Sequence, residues 1–150
     1  MRMLYVGYGS NLSTKFMEPY CPSAKFVMRA VLPNFHIEFH KYSENLGGGI
    51  STIIEAPGEM VHCVVYEVPQ EEIEAMDVLE QVPEGVYKRE TFLVLGEDGE
   101  WYKADLYRIV KAEGPIRPSK KYVGYMLEGM REHDIDADYM RKFQELYDSL

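Results

Sequence analysis

The sequence predicts an α+β fold built on a mainly antiparallel sheet, and three observations carry that expectation. In "FHIEFHK", Phe35, Ile37 and Phe39 alternate with His36, Glu38 and His40, the pattern of a strand with one buried face. In "GEDGE", Asp98-Gly99 sits between two β-prone segments, a strong hairpin signal. At "PQEEIEAMDVLEQV" the period becomes helical, as it does again after residue 119, so helices are inserted among and appended to the strands. That order suits helices flanking an antiparallel sheet, which a chain of this kind can roll into a barrel.

Taken in order, Met3–Tyr8 is a short strand ending at Gly9, and Asn11 or Ser13 can cap a short helix over Thr14–Tyr20 that stops at Cys21-Pro22. Ala24–Leu32 is a second strand and "FHIEFHK" a third. "ENLGGGIST" is a turn into Ile50–Glu55, Pro57-Gly58 makes the next turn, and Val61–Val68 alternates as a strand. Pro69 opens a helix with acids in its first turn and Ile73, Met76 and Leu79 or Glu80 on one face; Pro83 ends it. Tyr87–Leu95 and Glu100–Ile109 form the hairpin. "AEGPIRPS" is a loop, Lys120–Arg131 a helix, and a last helix runs from about Asp138 to Leu150.

The chain has 150 residues and no repeat, linker or low-complexity stretch, so residues 1–150 are expected to form one domain with its own core. A formal net charge of −9, with the basic residues scattered, argues against nucleic acid as partner. Apolar runs are too short to span a bilayer, no basic-then-apolar leader opens the chain, and the two cysteines, Cys21 and Cys63, suggest neither a disulfide framework nor zinc spacing. A cytoplasmic protein is the expectation; a homodimer is compatible with it.

Two features point to chemistry. "YVGYGSNLS" ends a strand in a turn of almost no bulk, which aims the N–H donors of Gly9, Ser10 and Asn11 at one point and suits a carboxylate or phosphate. It lacks the lysine of a phosphate loop and the three glycines of a dinucleotide site, and read alone it is equally an ordinary strand–helix connection. Glu80 ends an amphipathic helix on or beside its apolar face, where the negative end of the helix and apolar neighbours raise a carboxyl pKa toward the range of a general acid–base. Read alone, it is one glutamate among several on that helix. Tyr8, Tyr87, Tyr107 and Tyr122 lie where hydroxyls can line a pocket, or where they simply pack.

Three other patterns are set aside. His36, Glu38 and His40 share a strand face without metal-site spacing and read as a solvent-facing strand. "DIDAD" imitates the start of a calcium loop, but Tyr139 stands where that loop needs glycine, so its acids read as helix caps. Cys63 alternates with Val61 and Val65 and reads as an inert buried thiol.

"YVGYGSNL", followed by "GGGISTIIEAPGEMVHCVVYEV" and "MDVLEQVPEGVYKRE", then "LYRIV" and "RPSKKYVGYMLEGMREHDI", resembles the γ-glutamylcyclotransferase-like superfamily over most of the chain. The resemblance implies a small β-barrel with flanking helices, a cavity at its mouth, and release of 5-oxoproline from a γ-glutamyl amine or γ-glutamyl amino acid without a cofactor. By it, Tyr8-Gly9-Ser10-Asn11-Leu12 is the substrate-binding loop, Glu80 the catalytic glutamate, and Tyr87, Tyr107 and Tyr122 pocket tyrosines; "NLGGG" could flex over the mouth. One departure stands out: many relatives carry Gly directly after the glutamate, where this chain has Gln81, which could tilt the helix end or narrow the pocket. The alternative is a non-catalytic domain that binds a small metabolite and retains fold and cavity.

Overall fold

The computed structural model describes residues 2–150. Five strands, β1 (Arg2–Gly7), β2 (Lys25–Ser43), β3 (Gly48–Pro69), β4 (Tyr87–Gly96) and β5 (Trp101–Ile109), close into a barrel in the order β1-β3-β2-β4-β5. All the neighbours are antiparallel except β1 and β5, which meet in parallel at Tyr5 and Asp105. The helices are α1 (Thr14–Met17), α2 (Gln70–Leu79), α3 (Lys120–Glu132) and α4 (Ala137–Ser149). No helix among the described residues is long and apolar enough to cross a membrane.

The largest difference from the sequence reading lies in β2 and β3. Four strands were expected where the structure has two long ones. Pro33 and Pro57-Gly58 look like breaks, yet the ribbon runs through them by a bulge. Pro33 pairs with Met60 and Phe35 with Glu55, so residues 56–59 bow out opposite Asn34. Asn34 takes a positive φ of 67°, and its side-chain oxygen accepts the N–H of Gly58 at 3.1 Å. A bulge absorbs the missing proline donor and the extra residues without ending the pairing.

Helix α1 is shorter than expected, because its last residues before Cys21 are turns. Helices α3 and α4 start at the expected signals, with Ser119 and Asp136 accepting the N–H groups of Tyr122 and Tyr139. The Asp98-Gly99 hairpin forms, with Gly99 at φ 83°. "NLGGG" is a hairpin turn held in place: Gly49 donates to the Arg117 carbonyl at 2.9 Å, and a methyl group on Gly49 would stand 2.1 Å from the Ile116 carbonyl oxygen.

Two apolar clusters hold the molecule. One fills the barrel with Val6, Leu32, Ile53, Val65, Val94 and Leu106; Cys63 is buried there, its thiol pushed up to about 12 by burial. The other packs α2 and α3 on the barrel through Ile73, Met76, Val123, Met126, Leu127 and Met130. The second cluster positions the site, since α2 and the turn after β1 both rest on it.

Candidate active site

The turn after β1 is bare because other groups crowd it. A methyl group on Gly9 would lie 2.3 Å from Ser51 Oγ and 3.0 Å from the Tyr122 hydroxyl. Ser10–Leu12 then make one tight helical turn, closed by Leu12 N–H to the Gly9 carbonyl and Ser13 N–H to the Ser10 carbonyl, each 3.0 Å. Among the described residues, the N–H groups of Gly9, Ser10 and Asn11 have no acceptor in the chain. These three residues line a cavity that is partly open to solvent.

Glu80 lines the same cavity. It caps α2, its N–H bonded to the Met76 carbonyl at 2.8 Å. The last turn closes as a Schellman motif, with Val82 N–H on the Asp77 carbonyl and Gln81 N–H on the Val78 carbonyl. The residue between must be left-handed, and Gln81 is, at φ 56°. Glutamine adopts this conformation here, and the helix end closes regularly.

No hydrogen bond or ion pair to the Glu80 carboxylate forms among the described residues, and burial pushes its carboxyl up to about 7. Glu80 is the one formally charged side chain lining the cavity. Tyrosines surround it. Burial raises the phenols of Tyr5, Tyr8, Tyr87 and Tyr122, and the Glu80 carboxylate raises each further, so all four hold their protons. Tyr87 donates to the Ser51 carbonyl at 2.9 Å, while the Tyr122 hydroxyl meets Ser51 Oγ at 2.8 Å and Ser51 N–H at 3.3 Å. Tyr8 donates to the Tyr107 carbonyl.

A charged clamp behind the cavity fixes the end of α2. The Tyr107 hydroxyl donates to Asp77 Oδ1 at 2.6 Å, and Arg89 grips both Asp77 oxygens at 2.9 and 3.1 Å and Asp105 at 2.5 Å. Asp77 lies one turn before Glu80 on the same helix side. Arg89 therefore ties the acid-bearing helix to β5.

The structure brings Tyr8, Gly9, Ser10, Asn11, Glu80, Tyr87, Tyr107 and Tyr122 to one cavity. Leu12 is the exception. Its side chain is fully buried in the core and its carbonyl accepts the Tyr66 hydroxyl at 3.1 Å, because the tight turn rotates it away from Asn11. Sequence reasoning missed Tyr5, whose hydroxyl accepts the Asn11 side-chain amide, and Ser51. The available signal for Ser51 was a pair of small hydroxyl residues, Ser51-Thr52, set between Ile50 and Ile53-Ile54.

The patterns set aside stay apart from this cavity. Glu38 bridges His36 and His40 at 2.5 Å each on the outside of β2, and no group that could hold a metal ion is found among the described residues.

The AIG2-like family matches residues 60–143. γ-Glutamylcyclotransferase from Mus musculus is 32% identical over 147 residues, covering 95% of this chain and 78% of that protein. The chain belongs to the AIG2-like, γ-glutamylcyclotransferase family. The Bos taurus γ-glutamylcyclotransferase is 31% identical over the same shares. A solved γ-glutamyl cyclotransferase structure superposes with a TM-score of 0.92 at 28% identity, covering 96% of this chain and 87% of that one. The barrel with flanking helices is thus the fold of this family.

Proposed function

We propose that the protein is a γ-glutamylcyclotransferase in which Glu80 is the general acid–base and the turn Gly9-Ser10-Asn11 holds the substrate's α-carboxylate. One observation carries this reading. Glu80, whose carboxylate is unpaired, and the turn Gly9-Ser10-Asn11, whose N–H groups have no acceptor among the described residues, line the same cavity.

A γ-glutamyl amide already contains its nucleophile. Its α-amine lies within five-membered-ring reach of the γ-carbonyl, so the protein need only fold the substrate and manage protons, an alignment worth several kcal/mol. Free N–H donors at residues 9–11 fix the α-carboxylate and so aim the amine. An α-ammonium of pKa about 8 is not nucleophilic, and a carboxylate near 7 is matched to remove its proton. The amine nitrogen then bonds to the carbon of the γ-carbonyl, and the carbonyl oxygen takes the electron pair. As that pair returns, the amide C–N bond breaks, Glu80 passes its proton to the departing nitrogen, and the freed carboxylate takes the second proton from the ring nitrogen. The products are 5-oxoproline and the free amine. Tyrosine hydroxyls that keep their protons can donate to the transient oxyanion.

Purified protein incubated with γ-glutamyl-alanine, γ-glutamyl-ε-lysine and glutathione should release 5-oxoproline from at least one of them. Glu80→Gln should abolish that release while leaving the circular dichroism spectrum intact. Full turnover by Glu80→Gln would remove the assigned base; a thermal shift with these compounds but no product would leave a binding domain.

A further inference from the structure

A second, wider groove opens beside the cavity, and the two share Phe16, Leu46, Ile50, Glu80 and Tyr87 as walls. Beyond those residues, its rim carries Tyr20, Tyr42 and Leu79, which are 40%, 55% and 44% exposed, and the partly buried Val86. Three large apolar side chains left in water at one mouth form a patch of the kind that covers a ligand. The groove also has a polar side, made of Lys41, Ser43, Glu44, Asn45 and Gln81, so the apolar contacts come from the rim residues and Val86. Lys41 Nζ already stands 3.6 Å from Glu113 Oε1, and Glu44 adds a negative charge of its own.

The reaction decides what the groove holds. The turn at residues 9–11 fixes one end of the γ-glutamyl group deep in the cavity, and Glu80 must reach the nitrogen that leaves. Glu80 stands on the wall shared by the two spaces, so everything attached to that nitrogen extends past it into the outer groove. We propose that this groove is the leaving-amine subsite and that it selects γ-glutamyl conjugates whose amine component is large and apolar, phenylalanine or leucine rather than glycine or alanine. The inference rests on the cyclotransferase reading and names the substrate class it would serve. Tyr42, at the end of β2, and Leu79, at the end of α2, are the specificity residues.

The test compares kcat/KM for release of 5-oxoproline from γ-glutamyl-phenylalanine and γ-glutamyl-alanine. The wild type should favour the phenylalanine conjugate by about tenfold or more. Tyr42→Ser and Leu79→Ser should each lower that ratio. Trp101→Ser, which removes an equally exposed aromatic outside the groove, should leave the ratio unchanged. A wild-type ratio near one, or a ratio that neither groove substitution moves, overturns the proposal. If no conjugate is turned over, the cyclotransferase reading fails by itself. The subsite is then decided by calorimetry on Glu80→Gln: tighter binding of the phenylalanine conjugate supports it, and equal or absent binding of the two overturns it.

Discussion

Glu80 stands in an environment that works against its own charge. Its carboxyl is held at about 7 against an ordinary 4.5, and the cause is burial without a compensating partner. As the proposed base must be ionised, kcat/KM should rise with pH through about 7 and fall away below it; a profile flat from pH 5 to 8 would dissociate Glu80 from the proton transfer. The same shift has a stability consequence. The folded state favours the neutral carboxyl, so below the unfolded value near 4.5 Glu80 costs nothing, between 4.5 and 7 the cost grows, and above 7 it is complete. Glu80→Gln should therefore be more stable than the wild type by about 1–3 kcal/mol at pH 8 and nearly equal to it at pH 4, by urea denaturation. At this scale the sequence was informative where backbone chemistry is local. The small-residue turn and the helix-terminal glutamate were both legible. Tyr5 and Ser51 were not, because what makes them part of the site is a partner from another strand, Asn11 for one and Tyr122 for the other.

Among the elements, α2 shows how a helix end is aimed. Its Schellman closure places a non-glycine residue at positive φ, a conformation that L side chains adopt at a cost. Gln81→Gly should stabilise the protein by about 0.5–1 kcal/mol, seen as a higher urea midpoint, with the helix end unchanged. The clamp on Asp77 acts from the other side. Arg89→Met would leave Asp77 and Asp105 without their shared cation in a half-buried setting, costing about 2 kcal/mol or more of stability. It should also move the kcat/KM limb to higher pH, because the Asp77 charge one turn from Glu80 is no longer answered. Helix existence and faces were readable from the 3.6-residue period. The clamp was not, since it joins residues 77, 89 and 105, whose meeting depends on the pairing of β4 with β5.

For the molecule as a whole, pattern gave the class and proline misled the count. Extended segments split at Pro33 and Pro57 merge into two long strands, because a bulge tolerates what a regular ladder cannot. Closure of the barrel then sets the early turn, α2 and the β2–β3 hairpin around a single space, a juxtaposition beyond any local reading. That space holds one negative charge and no positive one of its own. A pocket of this charge attracts small cations. Methylammonium and protonated Tris should act as competitive inhibitors in the release assay, weakly at pH 6 and more strongly at pH 8, and sodium at equal ionic strength should not. The choice of assay buffer will therefore alter the apparent affinity for substrate.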